Sequence, residues 1–149
     1  MNKVYFLLKI FFVYLFLTTT VIAVKSKYFD EGKILFDKKE FEKSKIFFER
    51  DIVFNPKSEK SYLYLAKIFE KRDNDEEEEM NLNNVLLLNP KNEEAIYMLA
   101  ILKIKQSDYS KAKELIEKFD LFCNSFCEKK DEIKEKFDKL IPENAKINN

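Results

Sequence analysis

Between Tyr28 and Phe119 apolar residues return every three or four positions, with polar residues filling the intervals. That is the period of an α-helix with one buried face. Tyr62, Leu65, Ala66 and Phe69 form one stripe, and Ile96, Leu99 and Ala100 form the next. A second stripe follows each: Leu82, Val85 and Leu86, then Ala112, Leu115, Ile116 and Phe119. Asn92 stands where a helix cap belongs, and Glu93 and Glu94 suit the positive end of the helix dipole. Pro90 stops the helix before it.

The pattern is written more than once. "FNPKSEKSYLYLA" (Phe54 to Ala66) returns 34 positions later as "LNPKNEEAIYMLA" (Leu88 to Ala100), with six of thirteen positions identical. Pro56 and Pro90 mark the same period. Counting back 34 from Ala66 reaches Gly32, the only glycine, which gives a first copy with Tyr28, Gly32, Leu35, Phe41, Ser44, Phe48 and Pro56. The third copy holds Ile96, Leu99, Ala100, Tyr109, Ala112 and Ile116.

These residues resemble the tetratricopeptide repeat family, in which a large aromatic, a Leu, a small residue, an aromatic, a later Ala, a Phe or Tyr and a closing Pro are spaced over a helix, a turn and a helix. The resemblance implies an all-α fold: a right-handed superhelical stack of three helical pairs, about 25–58, 59–92 and 93–124. A single helix of this length is marginal, so stacking buries the core. Phe126, Ile133, Phe137 and Leu140 line one side of a charged segment, which suits a capping helix at 125–141 ended by Pro142, with a frayed tail at 142–149. Three positions depart from the family pattern. Glu31 stands where Leu is usual, Lys103 replaces an aromatic, and Glu78 occupies a small-residue position, so the middle pair is expected to be looser or shifted.

The resemblance also implies a concave groove lined by the first helix of each pair. The groove positions read Phe29, Lys33 and Phe36, then Leu63, Lys67 and Glu70, then Tyr97, Ile101 and Ile104. The implied partner is a peptide or helix of another protein, with Lys33 and Lys67 flanking an apolar strip. These side chains could instead pack on the capping helix or on a second copy, which would make the chain a self-assembling homodimer. A family sub-class clamps a free carboxylate with Lys and Asn. Its positions here read Phe29, Lys33, Tyr64, Glu94 and Met98, so that partner class is disfavoured.

Ahead of the repeats, "MNKVYFLLKIFFVYLFLTTTVIAVKSK" has an uncharged run from Ile10 to Val24 behind Lys3 and Lys9. Ile10 to Leu17 has the length of a signal-peptide apolar core, with Val21 and Ala23 at −3 and −1 of a cut after Ala23. The other reading is an uncleaved anchor over residues 4–24, with Lys9 inside it. A buried core helix is disfavoured, since nothing polar marks a solvent face. If the N-terminus stays inside, either export reading places the repeats outside the cytoplasm: periplasmic, secreted, or held at the inner membrane by the N-terminus; Lys3 and Lys9 against Lys25 and Lys27 leave the orientation open.

Composition narrows the chemistry. Lys and Arg balance Asp and Glu at 27 each, so no global field draws the chain to nucleic acid. There is no His, which removes the commonest general base and zinc ligand. No catalytic triad, phosphate loop or metal motif occurs, so the expected protein is non-catalytic, without metal or cofactor. The acidic run Asp73 to Glu79 lacks the spacing of a calcium loop and reads as a solvated helix start. Cys123 and Cys127 have neither redox nor zinc spacing; a disulfide is expected if the domain is exported, and buried free thiols otherwise.

Overall fold

A computed structural model describes residues 27–140. The signal or anchor segment at 1–24 and the tail at 142–149 lie outside the described residues. Within them the chain is all-α, without strands. The helices are α1 (Lys27–Asp37), α2 (Phe41–Phe54), α3 (Glu59–Glu70), α4 (Asp75–Leu88), α5 (Glu93–Lys105), α6 (Tyr109–Phe122) and α7 (Lys130–Leu140). A 3₁₀ turn, Cys127–Lys129, leads into α7. None of these helices is long and apolar enough to cross a membrane. α1 pairs with α2, α3 with α4 and α5 with α6; each pair then packs on the next, and α7 lies against α5 and α6.

The turns inside the pairs are closed in one way. Lys39, Asp73 and Ser107, each 34 residues from the next, all have left-handed backbone, with φ of 62°, 52° and 61°. In the first turn the Lys39 and Glu40 amides donate back to the Phe36 and Leu35 carbonyls, at 2.8 and 2.9 Å. Asp73 and Asn74 do the same toward Glu70 and Phe69, and Ser107 and Asp108 toward Ile104 and Lys103. This is a Schellman closure, which satisfies the last carbonyls of the first helix and reverses the chain. Asn74 and Asp108 then cap the second helix, their side chains accepting from the Glu77 and Lys111 amides.

Between pairs the turns carry Pro56 and Pro90, and here carboxylates tie one repeat to the next. Glu59, the first residue of α3, accepts from the Asn89 and Asn92 side-chain amides at 3.0 and 2.5 Å. Glu93, the first residue of α5, accepts from the backbone amides of Asn124 and Phe126 at 2.7 and 2.8 Å. The two glutamates are one period apart and each reaches the turn that follows its own pair. The earlier turn is held differently: buried Asp51 accepts from Ser58 and Ser61, both at 2.5 Å. Buried polar groups persist because they are hydrogen-bonded, and these bonds fix where each pair begins.

Small residues let the helices touch. Gly32, Ala66 and Ala100 are buried at equivalent positions of α1, α3 and α5. A Cβ on Gly32 would come within 2.9 Å of the Phe48 ring, so that contact admits glycine alone. Ser44 and Ala112 supply the facing small residues, and the Ser44 hydroxyl donates to the Gly32 carbonyl at 2.8 Å. Glu78 takes this place in the middle pair. The pair is not opened by it: Glu78 is 4% exposed, with Leu82 and Val85 fully buried on the same helix. Lys103, the other departure, extends to Glu79 of α4 at 2.6 Å and so links two repeats. The apolar core runs from Leu63 through Leu82, Ile96, Leu115 and Phe119 to Ile133 of α7. A smaller cluster of Phe48, Leu65, Ile68 and Phe69 closes the first pair.

Candidate functional site

The first helices α1, α3 and α5 present one face to a shared groove. Its deeper part is a cavity of ≈ 700 Å³ against α1 and α3. Phe29, Leu63 and Tyr64 form its apolar wall, and Lys33, Lys57, Lys60, Asp30 and Glu59 surround the mouth. A second cavity of ≈ 280 Å³ continues along α3 and α5, lined by Phe36, Glu70, Tyr97, Met98 and Phe126. Lys67 and Glu94 line both and form an ion pair at 2.7 Å across the repeat boundary. Because both partners are partly sheltered from water, this pair is attenuated less by solvent than an exposed one.

Aromatic packing makes the wall rigid. Tyr64 is the hub: Phe29 and Phe36 meet it edge-on with centroids 5.7 and 5.0 Å away, and Phe48 stacks on it at 5.0 Å. Lys67 Nζ lies 5.0 Å above the same ring. Edge-to-face pairs and a cation over a ring each stabilise by about 0.5–1.5 kcal/mol beyond area burial. The sites on this wall are therefore held before any ligand arrives.

Seven of the nine groove positions come together: Phe29, Lys33, Phe36, Leu63, Lys67, Glu70 and Tyr97 all line one cavity or the other. Ile101 and Ile104 line neither. Ile104 is 5% exposed inside the core, and Ile101 packs against that core. Leu63 reaches the cavity wall but is itself 9% exposed and belongs to the core. The reason is coverage: α5 is flanked by α4, α6 and α7, so less of its surface is left to the groove. Lys33 is not a free cation either; Asp37 holds it at 2.9 Å, and that bond raises the Lys33 pKa.

The far end of the groove is shut by α7. Tyr97 donates its hydroxyl to Glu132 of α7 at 2.9 Å, and Phe126 meets the Tyr97 ring edge-on. Lys129 and Lys136 also hold Glu132, and the three bonds lower its pKa to about 2. Burial and the Glu132 carboxylate push the Tyr97 phenol up, so it stays a hydrogen-bond donor. Cys123 and Cys127 are joined in a disulfide, with Cα atoms 5.1 Å apart, tying the end of α6 to the first residue of the 3₁₀ turn. Among the described residues no cluster of carboxylate and sulfur ligands is placed to hold a metal ion.

Tyr64, Glu94 and Met98 also line the cavities; on sequence they stand only at the groove positions of the carboxylate-clamping sub-class, outside the nine expected for partner binding. The signal was available, since all three occupy positions at which carboxylate-clamping repeats carry their ligands. Those positions hold a groove here even though the clamp residues are absent.

No family model matches the chain, and no characterised sequence relative was found. The likeness is in the fold. The TPR domain of Sgt2 from Aspergillus fumigatus superposes with a TM-score of 0.61 at 18% identity, covering 76% of this chain and 74% of that one. A chain of the CopN–Scc3 complex superposes with a TM-score of 0.65 at 20% identity, covering 73% and 66%. At such identities the likeness concerns architecture: the described part of this chain has the fold of a tetratricopeptide repeat domain.

Proposed function

We propose that the chain is a non-catalytic interaction scaffold whose groove holds a peptide or helical segment of another protein. The observation that carries this reading is the aromatic wall of Phe29, Phe36 and Tyr64, braced against the core on one side and lining open cavities on the other. The cavity suits an apolar anchor side chain, and the Lys33, Lys57, Lys60 and Asp30 rim suits polar groups on either side of it. Likeness in fold to a chain found in a two-protein complex supports the same reading.

The scaffold works outside the cytoplasm, exported through or anchored in a membrane by residues 1–24, where it assists assembly of an envelope complex. The apolar run Ile10 to Val24 supports export. The Cys123–Cys127 disulfide supports an oxidising compartment. The test is crosslinking in native membranes, comparing the wild-type chain with Phe29→Ser and Lys60→Glu. Both variants should lose the crosslinked partner with helix content unchanged. If the crosslinked species is a second copy of the chain, the groove serves self-assembly and the scaffold reading fails.

A further inference from the structure

The two edges of the stack differ in chemistry. One edge carries the turns inside the pairs, and its residues are polar: Lys38, Lys39 and Glu40; Arg72, Asp73 and Asn74; Gln106, Ser107 and Asp108. The opposite edge carries the turns between pairs, and there α2, α4 and α6 each end in two apolar residues, Val53–Phe54, Leu87–Leu88 and Leu121–Phe122. Val53, Leu87 and Leu121 are spaced by 34 residues and are 74%, 80% and 79% exposed. Equivalent positions in stacked repeats form a row, so one edge bears a ladder of exposed aliphatic side chains. Large apolar side chains exposed at the same place in each repeat, along one edge, call for something that covers them.

Two observations identify the cover. The first is charge. Lys57, Lys60 and Lys91 are exposed in or next to the same turns, the first two also at the mouth of the groove, and Lys91 Nζ lies 5.3 Å over the Phe122 ring. Three carboxylates of these turns are engaged by the protein: Asp51 by Ser58 and Ser61, Glu59 by Asn89 and Asn92, Glu93 by the Asn124 and Phe126 amides. Glu117 and Glu128 are exposed near the last rung, so the positive charge is concentrated at the first two turns. The second is the point at which the chain enters the domain. The Tyr28 ring, one residue into α1, stacks on Phe54 of the first rung with centroids 5.4 Å apart. Residues 4–24 form the apolar segment that precedes it, and only Lys25 and Ser26 intervene before α1. Two residues span at most about 7 Å. With that segment in a bilayer, the start of α1 lies within about 7 Å of the segment's end, and Phe54 stacks beside that start.

We infer that this edge is a membrane-docking surface: Val53, Phe54, Leu87 and Leu121 insert at the interface of an anionic bilayer while Lys57, Lys60 and Lys91 meet its headgroups. The inference rests on the anchored form of the proposed function, and it orients the groove beside the membrane instead of away from it.

The chain has no tryptophan, so single-Trp variants report their own surroundings. The full chain is reconstituted in vesicles of phosphatidylglycerol and brominated phosphatidylcholine, with Trp placed singly by Phe12→Trp, Leu87→Trp, Leu121→Trp or Gln106→Trp. Bromine should quench Phe12→Trp, Leu87→Trp and Leu121→Trp, shift the last two to the blue, and leave Gln106→Trp at the opposite edge unchanged. Quenching of Phe12→Trp alone leaves the anchor standing and overturns docking of the edge. Quenching of none of them overturns the anchor, and docking with it. A blue shift of Leu87→Trp without quenching assigns the ladder to a protein surface and also overturns the inference.

Discussion

Glu78 gives the most quantitative test of the packing. It sits between helices at a position where the other pairs carry Ser44 and Ala112, and it is 4% exposed. Burial raises its pKa from 4.5 to about 7; Glu70, Asp75 and Asp73 add to the rise, and Lys105 of α5 opposes it. A carboxyl group whose folded pKa lies above its unfolded value binds its proton more tightly in the folded state. Stability therefore falls as pH rises from the unfolded pKa to the folded one. A shift of about 2.5 units corresponds to about 3 kcal/mol once the group is ionised in both states. Most of that loss, about 2.5 kcal/mol, falls between about pH 5 and pH 8. Glu78→Gln keeps the shape and removes the titration. Urea unfolding followed by circular dichroism, at both pH values, should show the wild-type midpoint falling by about 1–2 M more than that of the variant, for a slope of about 1.5 kcal/mol per molar. Equal pH dependence in the two proteins would refute the reasoning, because every other titrating group is common to both.

Three further outcomes follow from the turns and contacts. Gly32→Ala should lower stability by about 1–3 kcal/mol in the same urea assay, since its Cβ would press on the Phe48 ring at 2.9 Å. Ser107→Gly should raise the thermal midpoint, by about 1 kcal/mol of stability, because it relieves a left-handed backbone at φ 61°. Glu93→Ala removes the acceptor of the Asn124 and Phe126 amides, so hydrogen exchange at those two amides should accelerate while Ala66 and Leu82 keep their protection.

Much of the fold was legible because it is written in period. Pro56 and Pro90 lie in turns between pairs, Gly32 falls where α1 meets the Phe48 ring of α2, and the Asp73–Glu79 run overlaps the start of α4, with Asn74 as its cap. The family resemblance also implies Phe29, Lys33, Phe36 and Lys67 as groove positions, and all four line the groove. Ile101 and Ile104 are implied in the same way yet line neither cavity, since a position carried over from a family does not say how many neighbours cover that helix here. Glu78 looked like a misfit that would loosen its pair; the fold absorbs it at an electrostatic cost that no pattern reveals. The clasps of Glu59 and Glu93 join residues about thirty positions apart, so their acceptors and donors meet only once the pairs stack. Their 34-residue separation was the one trace in the chain.

That the groove is a surface for another protein is tested most directly by site-specific photo-crosslinking in native membranes. A benzoylphenylalanine replaces Phe29 in the groove or Met80, which is exposed on α4 and lines neither cavity. The account predicts a discrete crosslinked partner from position 29 and none from position 80. Equal yields from both positions, or crosslinks from position 29 that lead only within the chain itself, would contradict it.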